Sequence, residues 1–159
     1  MLLSGLNHVA TLTMDAERLH AFYKEVFDAE IGYNGQEFPD DPTKAHIHLS
    51  VIHLGASAEL NVFQITGNTE AERQTPMFGR GRLDHFALQA ESLEAFEVAR
   101  ERLIARGAAD RFVTDFGPVL SVFFRDPDGL ECELVVQNPD AIAGVSNPPG
   151  TPAARYQDR

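Results

Sequence analysis

One pattern occurs twice in this chain, and the repetition limits the fold more than any other feature. Leu6-Asn7-His8-Val9-Ala10 lies over Leu83-Asp84-His85-Phe86-Ala87, each just ahead of a helical pattern. Towards the end of each half, Ala58-Glu59-Leu60 corresponds to Cys132-Glu133-Leu134, so that His8 and Glu59 stand 51 positions apart and His85 and Glu133 stand 48 apart. The repeat predicts two similar modules related by a pseudo-twofold, each with a histidine on its first strand and a carboxylate on its last. With 159 residues the chain is long enough to bury a core, as one domain or as two small halves that share it.

Within each module the order is strand, helix, then strands. LNHVATLT alternates Leu6, His8, Ala10 and Leu12 against Asn7, Val9 and Thr11. A helix follows: Asp15 suits its N-cap, Glu17 its first turn, and Leu19, Phe22, Tyr23, Val26 and Phe27 form an apolar stripe. His20, between Leu19 and Ala21, is expected at the surface with no role. Residues 35–44 read as a proline-bearing surface loop, after which AHIHLSVIHLG and AELNVFQITG flank the turn Gly55-Ala56-Ser57 as two strands. The order resumes at Leu83, with Ser92 as a cap, Phe96, Ala99, Leu103 and Ile104 inward, and Gly107 at the helix end. The expected class is α+β: a βαβββ module over 1–66, a polar linker over 67–82, a second βαβββ module over 83–138 and a tail over 139–159. The tail is rich in Pro, Gly and Ala and reads as an extended arm, along a partner subunit or across the site mouth, or as plain terminal disorder.

The last hairpin delivers a carboxylate. In FFRDPDGLECELVVQ, Phe123 to Gln137, Asp126-Pro127-Asp128-Gly129 supplies a tight turn, with Pro127 presetting φ and Gly129 taking a backbone conformation that other residues resist. Downstream, Glu131, Glu133 and Val135 alternate with Cys132, Leu134 and Val136, so Glu133 sits in an otherwise apolar strand and requires a positive or hydrogen-bonding partner. His8 and His85 are the partners that the repeat offers. Cys132, the single cysteine, reads as a small core residue facing away from Glu133 and fits a reducing cytosol. A formal charge of -11 repels phosphate backbones and anionic lipid, and with no tryptophan and no basic stripe nucleic acid is not an expected partner. No signal peptide and no membrane span are visible, which points to a soluble, cytoplasmic protein.

Histidine and glutamate on paired strands are the ligand types that hold a borderline divalent metal, and two His with one carboxylate leave positions open for substrate, water or oxygen. Strand parity can bring His8, His85 and Glu133 to one concave sheet face. His46 and His48 share a strand face, as a second acid-base group, an additional metal contact, or solvated or core histidines.

At these residues the sequence resembles the vicinal oxygen chelate superfamily, also called the glyoxalase, bleomycin resistance and extradiol dioxygenase superfamily. The resemblance spans residues 5–137 and is most specific in FRDPDGLECEL, Phe124 to Leu134, which is similar to the family's DPDG turn followed by its metal-binding glutamate. It implies two βαβββ modules forming a curled mixed sheet around a central site, with helices on the outer face. It also implies His8, His85 and Glu133 as ligands of one divalent ion, whether Fe, Mn, Ni, Zn or Co. Aligning the modules on their Glu-Leu pairs makes Glu59 the fourth ligand of a glyoxalase I set, a catalytic carboxylate beside Glu133. Aligning them on the following apolar residues and Gln makes it Asn61 and leaves the facial triad of the family's dioxygenases. Phe123 stands where extradiol dioxygenases carry a tyrosine, and Thr114, Asp115 and Phe116 where they carry a histidine, so catechol cleavage by that route is not expected. Fosfomycin-modifying members join the triad to a cationic pocket, for which Arg125 and the Arg80, Arg82 pair are the nearby basic residues. The resemblance thus implies a metal-dependent, glyoxalase- or dioxygenase-like enzyme, a homodimer, acting on a small molecule that chelates the ion through two oxygens. The alternatives are a metal-free small-molecule binding protein of the bleomycin-resistance type and an interaction module with a degenerate site.

Overall fold

A computed structural model describes residues 2, 5–36, 40–44, 46–73, 79 and 83–143. Arg80, Arg82 and the expected arm from residue 144 onward lie outside them. The chain divides between residues 74 and 75 into two compact units. Among the described residues no helix is long and apolar enough to cross a membrane.

The first unit contains β1 (His8–Thr13), α1 (Ala16–Phe27), β2 (Ile31–Gln36), β3 (Ile47–Leu54) and β4 (Ala58–Ile65). Its sheet runs β1-β4-β3-β2, with β1 parallel to β4 and the other neighbours antiparallel. The helix begins where the Asp15 side chain accepts the Arg18 N–H, satisfying a donor that has no partner inside the helix. Leu19, Phe22, Tyr23 and Val26 are buried together with Ile52, Leu60 and Val62, each contributing about 1.5–3 kcal/mol relative to exposure. His20 departs from its expected surface position: it is 3% exposed, and its Nε2 meets the buried Ser50 hydroxyl at 2.6 Å. The buried arc of α1 is therefore wider than its apolar stripe, because β3 supplies a polar partner. The sequence pattern did not mark β2 as a strand. It is an edge strand with two glycines and an irregularity between Ile31 and Asn34, which erases the alternation that marks a strand.

The second unit contains β5 (Ala87–Gln89), α2 (Leu93–Ala105), β6 (Thr114–Asp115), β7 (Val119–Arg125) and β8 (Glu131–Gln137). Its sheet runs β5-β8-β7-β6, again with a parallel first pair and antiparallel others. Ser92 caps α2 by accepting the Ala95 N–H. Phe96, Ala99 and Leu103 are buried with Val122, Phe124, Cys132, Leu134 and Val136, so Cys132 is a core residue. Between β7 and β8, Gly129 has φ of 84° and donates its N–H to the Asp126 carbonyl, while the Leu130 N–H donates to the Asp126 carboxylate. Among the described residues each unit is thus a four-stranded mixed sheet with one α-helix, and together they make a two-module α+β fold.

Candidate functional site

Alternation along β8 turns Cys132, Leu134 and Val136 into the buried core and leaves Glu131, Glu133 and Val135 on the other sheet face. Glu133 pairs with Phe123 on β7 and with Ala87 on β5, and its N–H donates to the Phe86 carbonyl. His85 lies just ahead of β5. Its Nε2 stands 3.9 Å from Glu133 Oε1, with side chains only 27% and 14% exposed. That separation is too long for a hydrogen bond. The opposite ring nitrogen, Nδ1, lies 2.7 Å from Asp84 Oδ2. The Phe123 ring approaches His85 edge-on at a centroid distance of 6.5 Å. Burial raises the Glu133 carboxyl above its ordinary value, and the charge of His85 opposes the rise. On the same face Arg125 is engaged with Glu131 at 2.9 Å, and Ser121 on β7 pairs with Thr114 on β6, both buried.

In the first unit His8 pairs with Glu59 across the parallel ladder, and Ala10 with Asn61. His8 Nδ1 lies 2.8 Å from Asn7 Oδ1, the same bond to the preceding side chain that His85 makes. Glu59 meets His53 on β3, Nδ1 to Oε1, at 3.5 Å. The His53 ring occupies the space that a side chain on Gly32 would need, since a Cβ there would come within 2.5 Å of Nε2. His48 shares its strand face with Ser50 and the α1 core, opposite the face of His8 and Glu59, and bonds Asn34 Oδ1 at 2.7 Å. His48 is therefore not a second acid-base group beside His8. His46 precedes β3 and is exposed.

Counting from the two histidines, the rungs Ala10–Asn61 and Ala87–Glu133 are equivalent. Asn61 therefore stands where the second unit has Glu133. Glu59 corresponds to Glu131, and the His53–Glu59 pair to the Arg125–Glu131 pair, so the two Glu-Leu pairs do not occupy equivalent rungs. Asn61 Oδ1 is buried without a hydrogen-bond partner. Sequence reasoning gave no role to His53, Asn7 or Asp84, which stand beside the predicted site residues. The first carried no signal, whereas a short oxygen-bearing side chain before each histidine was visible in the repeat.

Among the described residues no group of three or more His, Cys, Asp and Glu side chains gathers as if around an ion. The second unit brings His85 and Glu133 together, and the first sets His8 beside Glu59 and Asn61. The donor types nevertheless suit a cation: in the second unit an imidazole nitrogen and a largely buried carboxylate oxygen stand 3.9 Å apart, and in the first the buried Asn61 oxygen accepts no hydrogen bond.

The family model of the Glyoxalase/Bleomycin resistance protein/Dioxygenase superfamily matches residues 5–134. No curated protein sequence matches the chain significantly. Among solved structures, the glyoxylase/bleomycin resistance protein/dioxygenase domain from Frankia sp. EAN1pec is 23% identical, with 86% of this chain and 99% of that one covered and a TM-score of 0.68. The fosfomycin resistance protein FosX from Listeria monocytogenes, complexed with Mn(II) and 1S,2S-dihydroxypropylphosphonic acid, is 25% identical over 84% of this chain and 92% of that one, with a TM-score of 0.60. The lactoylglutathione lyase from Agrobacterium tumefaciens is 20% identical over 86% and 96%, with a TM-score of 0.57. With the family pattern running through both modules and including the DPDG turn, the chain belongs to the glyoxalase/bleomycin resistance protein/dioxygenase superfamily.

Proposed function

We propose that this protein is a metal-dependent enzyme acting on a small molecule that chelates the ion through two adjacent oxygens, with His85 and Glu133 of one module and His8 of the other as the protein donors. The observation that carries this reading is the approach of His85 Nε2 to Glu133 Oε1 at 3.9 Å, with the other nitrogen of the ring 2.7 Å from Asp84 Oδ2. FosX, a structural relative, holds Mn(II) together with a dihydroxy phosphonate, which supports both the ion and the vicinal oxygens. When bound, the ion supplies Lewis-acid stabilisation of negative charge on a substrate oxygen.

The chain's own residues narrow the chemistry. Asn61, on the rung equivalent to Glu133, is a neutral amide, so the donor set is a triad with coordination positions left for substrate. Glu59 is occupied with His53 and is the counterpart of an ion-paired glutamate, which argues against a fourth carboxylate ligand. Phe123 places an apolar ring edge beside His85 and offers no proton there, which argues against catechol cleavage by a route that needs an acid-base group at that position. Among the described residues on the Glu133 face, Arg125 is already engaged with Glu131, which favours a neutral or weakly charged substrate over a phosphonate.

Elemental analysis of protein purified without chelator or metal-affinity resin tests the reading, together with Mn(II) titration of variants. One ion per chain is expected in wild type and in His46→Ala, with binding weakened at least about 100-fold in His85→Ala and Glu133→Ala. Full occupancy in Glu133→Ala would sink the proposal. Absence of metal from every form would favour the metal-free binding protein.

A further inference from the structure

We propose that Ser121 is a specificity-determining residue of the candidate site, its hydroxyl bonding a third oxygen of the substrate, set a few bonds beyond the two that chelate the ion. The proposal rests on the metal-dependent reading for the chelating oxygens, whereas the hydroxyl itself is a feature of the second unit alone. Ser121 is 0% exposed, and its Oγ is buried without a hydrogen-bond partner. Its strand is flanked on both sides, since Ser121 pairs with Val135 on β8 and with Thr114 on β6, which commits the neighbouring backbone to the ladders. A hydroxyl both donates and accepts, and burying one with neither capacity used lowers stability. The fold does not require a hydroxyl here. Matching the rung of Asn61 to that of Glu133 also matches Phe63 to Val135, and their partners across the hairpins are Leu49 and Ser121. The first unit thus fills the same place with leucine, so an apolar side chain suits the position and serine is the departure.

Alternation along β7 places Ser121 on the face of Phe123 and Glu133, away from α2. Because Phe123 is the direct partner of Glu133, Ser121 is the diagonal neighbour of Glu133, at about 7–8 Å. A small molecule spans that separation: with its two chelating oxygens on an ion at the Glu133 carboxylate, an oxygen a few bonds further along reaches Ser121. The face also admits a ligand. Val119, Phe123 and Val135, the neighbours of Ser121 on it, are each half-buried, whereas Val122, Phe124, Cys132 and Leu134 on the α2 face are at most 2% exposed. All three of those neighbours have longer side chains than serine, so its hydroxyl lies deepest, beneath groups that are not locked into a core. A neutral hydroxyl favours a hydroxyl or carbonyl oxygen and gives no premium for charge, in keeping with the engagement of Arg125 by Glu131 on the same face. The substrate class that fits is therefore a small oxygen-rich molecule, such as a hydroxy acid that carries a further hydroxyl.

The test compares ligands that differ by one hydroxyl. Lactate chelates through its carboxylate and its hydroxyl, and glycerate adds a third oxygen; a second pair, one carbon longer, sets the added hydroxyl further out. Binding to the Mn(II)-loaded full chain, read from water-proton relaxation, should be about 3–10-fold tighter for the hydroxylated member of at least one pair. Ser121→Ala should bring that ratio close to one, and Ser121→Thr, which restores a hydroxyl, should keep it. The metal-free proteins give a readout that needs no ion. Ser121→Ala should unfold at the same urea concentration as wild type or at a higher one, because the hydroxyl that it removes has no partner within the protein. A lower midpoint in Ser121→Ala would reveal a bond inside the fold and overturn the proposal, as would a wild type with no preference in either pair, or a preference that survives in Ser121→Ala. Should no form bind Mn(II), the metal-dependent reading falls and the same ligand pairs are compared on the metal-free protein: a preference that depends on Ser121 leaves its recognition role standing, and the lack of one removes it too.

Discussion

Replacing Asp126 by Asn separates the two things that this buried residue does in the turn between β7 and β8. Its carboxylate is only 6% exposed and accepts the Leu130 N–H at 2.8 Å. Burial is the main reason that its carboxyl is pushed from 3.8 up to about 6; the nearby Asp128 charge adds to the rise, and N–H groups of the turn oppose it. At 1.36 kcal/mol for each pH unit, keeping this group ionised at pH 8 costs the folded state about 3 kcal/mol relative to a neutral side chain. The sign follows from linkage. A folded-state value above the unfolded one means that the native protein holds the proton more tightly, so the stabilising contribution is full below pH 3.8 and is lost as pH rises through about 6. Asp126→Asn keeps an acceptor for Leu130 and removes the charge, but its NH₂ cannot accept from the turn's other N–H groups, which offsets the gain by about 1 kcal/mol. Urea unfolding of both proteins between pH 5 and 8 should therefore show the variant stabilised by about 2 kcal/mol at pH 8, with the advantage reduced by about 1–1.5 kcal/mol at pH 5. Every other titrating group is common to both proteins, so the difference isolates Asp126. A difference that does not change between pH 5 and 8 would refute the reasoning, whatever its size.

Two further substitutions probe buried polar atoms. Ser50→Ala leaves the His20 ring without its 2.6 Å partner and should cost about 1–3 kcal/mol by urea unfolding at pH 8. Because burial lowers the His20 value below 6.5, the stability that the neutral ring contributes is present above pH 6.5 and lost as pH falls through the lower folded-state value, a slope that His20→Gln should flatten. Asn61→Leu removes a buried oxygen that lacks a donor, so the metal-free protein should be unchanged or stabilised by up to about 1 kcal/mol. Asn61→Asp should instead destabilise the metal-free protein and tighten Mn(II) binding by adding a carboxylate donor, and a loss of Mn(II) affinity there would count against the fourth-position assignment.

The caps, the helix stripes and the strand faces were legible in the sequence because each depends on neighbours three or four residues away at most. Asp15 and Ser92 cap the helices expected of them, and Glu133 faces away from Cys132 as alternation requires. His20 was misplaced because its burial depends on Ser50, a residue of another strand that no helical period reveals. The rung of Glu133 was hidden for a different reason. The β3–β4 hairpin closes with the pair Leu54–Ala58, whereas the β7–β8 hairpin closes with Arg125–Glu131 around the longer turn from Asp126 to Leu130. Spacing counted along the chain includes the turn, and pairing across the sheet does not. Glu59 and Glu133 thus look equivalent in sequence while lying one alternation apart in the ladders.

Once the ladders are matched, the two modules differ systematically in charge. The first has Asn7 beside its histidine and Asn61 on the rung that follows; the second has Asp84 and Glu133 in the same two places. The acidic groups that remain on the first module's face are engaged, Glu59 with His53, as Glu131 is with Arg125 in the second. Were the proposed ion held by His8, His85 and Glu133, that single carboxylate among the donors would leave the ion a net positive charge with which to stabilise negative charge on a substrate oxygen, and a carboxylate in place of Asn61 would reduce it.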